Sequence, residues 1–251
     1  MQIISDSVLL FRRHLDTTMK SKISILIGMV QPVLYLLLFG PMLEKALPDA
    51  SGSNAWQMYV PGLLVQLGLF GAGYAGFNLI PDMRAGVIER MRVTPVSRLA
   101  LLLGRVMRDA VVMLIQAVML TAVAVGFGLR APLVGIVASF VMVLALAISL
   151  ASMSYLLALS LPTEYLFAPV INTVALPLML LSGILLPMTF APGWLSVLSH
   201  FSPFRYIVDG MRDLFLGHYA TRSVLEGVIV AAVLVVASLA LGTRKFVRAN
   251  S

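Results

Sequence analysis

Residues able to do covalent chemistry are sparse in this chain. The three histidines, His14, His200 and His218, lie far apart, and neither an HExxH nor a GxSxG motif occurs. There is no cysteine, which removes thiolate nucleophiles, thiolate metal sites and disulfides together and leaves the redox compartment open. The four lysines follow Met19, Ser21, Glu44 and Arg244. None follows a glycine, so a GxxxxGK phosphate loop is impossible and the chain is expected not to hydrolyse ATP by itself. Ser202 beside His200 is a crude pair for acyl transfer, and adjacency within one loop is the simpler reason for it. No catalytic residue and no metal ligand is assigned.

The polar residues that invite a role are those embedded in apolar runs: Gln31 and Tyr35; Gln66, Tyr74 and Asn78; Gln116; Asn172 and Thr173. Unpaired in lipid they are costly, so they should face protein or a cavity. Pairing between helices explains each of them without a ligand; lining a pathway is the alternative. No Asp, Glu, Lys or Arg falls in the middle of an apolar run, which counts against a proton- or ion-coupled carrier. Gly68, Ala72 and Gly76 repeat every four residues, a ridge of small side chains suited to close helix packing.

The elements that must position these residues follow from composition. Of 251 residues, 60% are hydrophobic and only 12% charged, with a mean hydropathy of +0.98. A soluble domain carries about 25% charged residues, so this surface belongs in a bilayer. A hydrocarbon core of ~30 Å needs about 20 apolar residues in a helix. Six runs qualify, near 22–42, 57–80, 109–129, 133–157, 166–188 and 224–242, giving an all-α membrane protein read as one transmembrane domain over 1–251. Pro32, Pro61, Pro169 and Pro177 interrupt them, which membrane helices tolerate because neighbours re-satisfy the freed carbonyls. Thirteen of the 18 Lys and Arg fall in residues 1–22, in the loop 81–108 and in the C-terminal tail. The positive-inside rule therefore predicts both termini and that loop in the cytoplasm. A cleavable signal peptide is not expected, because the first residues lack a short apolar core and a small-residue cleavage site. A soluble basic face of the kind that binds nucleic acid is absent too.

Three segments outside the spans carry pattern. In residues 1–21, Ile4, Val8, Phe11 and Leu15 recur at helical spacing, predicting an interfacial amphipathic helix; an arm docked on a partner is the alternative. In the loop 81–108, Val87, Ile88 and Met91 form a small apolar face among Arg84, Glu89, Arg90 and Arg92. Thr94 and Pro95 should end that short helix and start a long one into the membrane. This is a lever for a cytoplasmic partner, or only a basic loop that sets topology and touches lipid. The outer stretch 189–222 is too short and too charged to span. There Ser202 and Pro203 predict a helix start and Gly217 its end. Arg205, Asp209 and Arg212 are spaced for ion pairs along that helix. Trp194 and Tyr206 suit an interface. It reads as a re-entrant hairpin or an amphipathic cap.

Two of these segments together resemble one family. ERMRVTPVSRLALLLGRVMRD at 89–109 resembles the cytoplasmic block of type-2 ABC exporter permeases, and LSGILLPMTFAPGWLSVLSHFSPFRYIVDGMR at 181–212 resembles their second block. The drug-, antibiotic- and lipid-exporting permeases, such as the daunorubicin-resistance type, look most similar. The resemblance implies a bacterial plasma-membrane subunit, working as a homodimer or heterodimer of permeases with two cytoplasmic ABC ATPase subunits that hold the ATP and magnesium; this chain would bind no cofactor itself. It implies that residues around Ala85–Thr94 (Val87, Ile88, Glu89, Arg90, Met91, Arg92, Thr94, with Pro95 at the corner) contact the ATPase. It makes Gln31, Tyr35, Gln66, Tyr74, Asn78, Asn172 and Thr173 candidates for a cargo wall. Trp194, Arg205, Tyr206, Asp209 and Arg212 would belong to an extracytoplasmic gate. Polysaccharide-exporting relatives tend to have aromatic-lined channels; 8% aromatics gives no such emphasis, and a hydrophobic or amphipathic cargo fits better. A secondary carrier or a membrane-embedded enzyme remain the other readings.

Overall fold

The computed structural model describes residues 11–12, 15, 22–46, 55–80, 98–161, 163–185, 188 and 191–248. The element assigned to ATPase contact (Ala85–Thr94, with Pro95) and most of the predicted helix 1–21 lie outside the described residues. Among the described residues all regular structure is helical. The α-helices are α1 (Lys22–Ala46), α2 (Ala55–Gly71), α3 (Arg98–Gly126), α4 (Leu133–Ala158), α5 (Phe167–Leu181), α6 (Gly193–Ser199), α7 (Pro203–Leu216) and α8 (Arg222–Arg248). Short 3-10 turns at Ala75–Asn78 and Glu164–Leu166 follow α2 and precede α5.

Among the described residues five segments are long and apolar enough to cross a bilayer: Leu26–Lys45, Ala55–Phe77, Leu102–Gly126, Leu133–Ala158 and Arg222–Gly242. The protein is thus a multi-pass membrane protein. The sequence pattern predicts six, and the difference lies in the run 166–188. Its helix, α5, has 15 residues, about 22 Å of rise against the ~30 Å required. α5 stops at Ser182 because Gly183 takes a left-handed φ of 67° and turns the chain away. The third run differs in its apolar stretch. α3 starts at Arg98, as expected of the long helix after Thr94 and Pro95, but the stretch opens at Leu102 rather than near 109, so Arg105 and Arg108 sit within it instead of in a loop, beside Asp109.

α2 is the central element: residues Tyr59 to Leu69 are buried almost without interruption. The small-residue ridge explains how neighbours come so close. A Cβ on Gly68 would lie 2.6 Å from Met113 Cε of α3 and 2.8 Å from Leu146 Cδ2 of α4. At Gly76 the approach is to backbone, with the Ser154 carbonyl oxygen 2.2 Å from such a Cβ. Ser154 Oγ then accepts the Gly76 N–H at 2.8 Å and donates to the Gly73 carbonyl, which rescues the backbone where α2 frays into its 3-10 turn. Gly76→Ala should therefore force helices apart and cost about 1–3 kcal/mol. Gly126→Ala, where no atom lies within 4 Å, should be near neutral. Thermal midpoints of both variants in detergent check the contrast; equal midpoints would contradict the packing.

On the opposite edge, α8 packs chiefly on α4 and α7. Two glycines set the register of α7 against α8. A Cβ on Gly210 would meet the Ser223 carbonyl oxygen at 2.9 Å, and one on Gly227 the Tyr206 carbonyl oxygen at 2.7 Å. The helices run antiparallel, so the start of α7 lies alongside residues several turns into α8. Its end returns to the start of α4, where the Leu214 carbonyl oxygen sits 1.9 Å from where a Gly135 Cβ would be. The α6–α7 pair is a hairpin inserted between the ends of α2, α4, α5 and α8.

Candidate functional site

The predicted helix start and stop of the hairpin are both found. Ser202 precedes α7 in extended conformation, Pro203 occupies its first turn, and Gly217 ends it at φ 85°. Ser202 does not cap with its side chain; its Oγ lies 2.8 Å from Ser182 Oγ, joining the start of α7 to the end of α5.

Arg212 holds this assembly together. It is buried, and its Nε donates to the Met58 carbonyl at 2.9 Å while Nη2 donates to the Gly183 carbonyl at 2.6 Å. Nη1 reaches Asp209 Oδ1 at 3.3 Å. One guanidinium fork thus ties α7 to the start of α2 and to the turn that ends α5, a geometry a lysine cannot copy. Burial lowers the Arg212 guanidinium from its ordinary range, and Asp209 opposes that shift. Arg205 does similar work within the hairpin. Its Nη1 donates to the Ser196 carbonyl at 2.9 Å and to Ser199 Oγ, lies 3.0 Å from His200 Nδ1, and its Nε is 3.6 Å from Asp209. Tyr206 Oη closes the corner by donating to the His200 carbonyl at 3.0 Å. Of the five residues expected at an outer gate, Arg205, Tyr206, Asp209 and Arg212 are brought into one network; Trp194 stands apart and exposed.

A second polar cluster was not legible as a site. Arg108 Nη2 lies 2.5 Å from Asp109 Oδ1, Tyr155 Oη of α4 donates to Asp109 Oδ2, and Arg108 Nη2 is 3.5 Å from Tyr155 Oη. These groups are largely enclosed between α3 and α4 inside the apolar stretch of α3, with Arg105 buried one turn earlier. The signal available in sequence was the RxxRD run; its position at a loop edge hid it.

The cargo-wall candidates separate. Tyr74 Oη donates to Asn172 Oδ1 at 2.9 Å, bridging α5 and the turn after α2. Tyr35 of α1 is half-buried, its carbonyl accepts from Tyr59 Oη at 3.3 Å, and its ring meets Phe39 edge-on. Gln31 and Thr173 are exposed, Asn172 also, and the side chain of Asn78 lies outside the described residues. Gln66 is different: it is 1% exposed in the middle of α2, and neither its Oε1 nor its Nε2 has a hydrogen-bond partner. Gln66→Leu removes an unpaired buried amide and should raise the thermal midpoint, by an amount reflecting about 1–3 kcal/mol. A lowered midpoint would contradict an unpaired amide. None of these residues lines the apolar cavity of about 510 Å³ between α4, α5 and α8, whose wall includes Met153, Leu157, Val174, Leu178, Phe204 and Leu234. That cavity suits hydrocarbon. Among the described residues no three His, Asp or Glu side chains group as metal ligands.

A helical membrane domain with an ion-paired hairpin between α5 and α8 is matched by a known family profile: that of the ABC-2 type transporter covers residues 7–216. The chain belongs to the ABC-2 type transporter permease family. Relatives bear this out. The provisionally assigned transport permease ycf38 of Cyanophora paradoxa is 31% identical over 216 residues, 84% of this chain and 74% of the relative. The daunorubicin-resistance ABC transporter permease DrrB1 of Streptomyces coeruleorubidus is 23% identical, covering 75% and 67% of the two chains. The provisionally assigned doxorubicin-resistance permease DrrC of Mycobacterium tuberculosis is 23% identical over 85% of this chain and 78% of its own. Membership of the ABC-2 family makes the chain a transport permease rather than an enzyme.

Proposed function

We propose that this ABC-2 permease is the membrane subunit of an ATP-driven exporter, moving a hydrophobic or amphipathic cargo (a drug, antibiotic or lipid) out of the cytoplasm or inner leaflet. The observation that carries this reading is the family match over 7–216 together with five apolar spans and a chain that has no phosphate loop. Energy must then come from elsewhere: two copies of a cytoplasmic ABC ATPase, binding ATP and magnesium. The chain works as a pair, with itself or a second permease, in a bacterial plasma membrane with both termini cytoplasmic. The run that holds α5 is the further crossing that brings the spans to six.

In this mechanism ATP binding moves the segment Ala85–Thr94, and α3, which begins directly after it, transmits the motion. The Arg108–Asp109–Tyr155 cluster couples α3 to α4. Access then alternates between the two faces at the permease pair. The exposed faces of α1 and α5, with Gln31, Asn172 and Thr173, would line the route, and the α6–α7 hairpin is its outer gate. Glu89→Lys and Arg90→Glu should each lower export at least tenfold while the membrane domain stays folded and the ATPase keeps hydrolysing ATP, a loss of about 1.4 kcal/mol of coupling. Export at the wild-type rate in both variants would remove Ala85–Thr94 from the coupling role.

A further inference from the structure

Beside the hairpin lies a second cavity, of about 310 Å³, lined by His200, Arg205, Tyr206, Asp209, Arg222, Ser223 and Glu226. Its wall is mostly polar and holds two guanidiniums and two carboxylates. Arg205 is committed to the hairpin, bound to Ser196, Ser199 and His200. Arg222 is not held in that way: its Nε lies 2.7 Å from Glu226, but its side chain is 90% exposed. Glu226 and Asp209 are each partly open to the cavity mouth. Because Arg222 and Glu226 occupy the first turns of the α8 span, the cavity lies at headgroup depth.

The helix that leads to His200, α6, carries an apolar face. Trp194, Val197, Leu198 and Phe201 follow i, i+3, i+4, i+7 spacing through α6 and the turn after it, so they share one face. All four are exposed, Phe201 at 83%. Together, this apolar face and a charge-balanced cavity at headgroup depth are complementary to an amphiphile whose polar end carries both signs. A plain anion would meet Asp209 and Glu226, and a plain cation would meet Arg205 and Arg222. We propose that this cavity binds the headgroup of a zwitterionic phospholipid of the outer leaflet, the phosphate on Arg222 and the amine on Glu226 and Asp209, with an acyl chain along Trp194, Val197, Leu198 and Phe201. The site lies outside the apolar cavity between α4, α5 and α8 and needs no particular cargo. It rests on the proposed place of the α6–α7 hairpin at the outer face of the membrane.

The test uses the full chain in nanodiscs of equimolar phosphatidylethanolamine and phosphatidylglycerol with identical acyl chains, followed by native mass spectrometry of the lipids retained. The bilayer is symmetric, so the outcome is independent of which face is extracytoplasmic, and a failure here leaves the exporter reading standing. Wild type should retain phosphatidylethanolamine over phosphatidylglycerol by about threefold, the scale of one partly exposed ion pair. Glu226→Lys should reverse the preference, and Glu226→Gln, which adds no charge, should abolish it. Glu44→Lys, an exposed change on α1, should leave it intact. Equal retention of both lipids by wild type, or the same reversal from Glu44→Lys as from Glu226→Lys, overturns the proposal.

Discussion

Arg212→Met should lower the stability of the membrane domain by about 3–5 kcal/mol, because it strips charge-assisted hydrogen bonds from buried partners. Two of those partners are backbone carbonyls, Met58 at the start of α2 and Gly183 in the turn that ends α5, and methionine offers neither of them a donor. Asp209 loses less, since its side chain is 38% exposed and Arg205 remains within 3.6 Å. Arg212→Lys restores the charge without the fork and should recover no more than half of the loss. Asp209→Asn, by contrast, leaves both carbonyl bonds in place and should cost under about 1 kcal/mol. For a chain of this size the Arg212→Met effect corresponds to a fall in thermal midpoint of roughly 10 °C. Thermal denaturation of the four proteins in one detergent provides the measurement. A midpoint for Arg212→Met within about 2 °C of wild type would show that the guanidinium does not hold the hairpin.

The second large effect is expected at the cluster between α3 and α4. Asp109→Ala leaves the Arg108 guanidinium enclosed in an apolar span without its counter-charge, and should cost about 3–5 kcal/mol. Tyr155→Phe removes only the hydroxyl that donates to Asp109 and should cost about 1–2 kcal/mol. Arg108→Leu with Asp109→Leu takes both charges away, so the double variant should be more stable than Asp109→Ala despite carrying more changes. A double-variant cycle in detergent reads this as a coupling energy of at least about 1 kcal/mol. If the two substitutions add without coupling, the pair is solvated and does not link the helices.

The degree to which sequence revealed this molecule tracks how local each feature is. Ser202, Pro203 and Gly217 bound a helix through chemistry that acts over a few residues, and the structure has that helix between them. The Gly68, Ala72, Gly76 ridge is equally local, and its packing partners only had to exist somewhere. Span lengths are less secure, because apolar runs do not mark where backbone turns. Gly183 ends α5 within a stretch that reads as continuous hydrocarbon, and Arg98 starts α3 well before its apolar stretch begins. Least legible is what depends on distant backbone. Nothing near Arg212 announces that its partners are the carbonyls of residues 58 and 183, since a carbonyl carries no residue identity. Asp209, three positions away, was visible as its ion partner for the opposite reason. Asp109 stood at the first residue of the expected span, where a carboxylate looks solvated, and its partner Tyr155 comes from another helix.

The central claim, that this ABC-2 permease exports by borrowing ATP hydrolysis from a partner, is tested most directly by gentle purification of the tagged chain from the membrane of its own host. Mass spectrometry then identifies what accompanies it. The account predicts a co-purifying subunit that carries a phosphate loop and is released by Glu89→Lys or Arg90→Glu. Recovery of this chain alone, transporting in liposomes under an ion gradient with no ATP present, would contradict it.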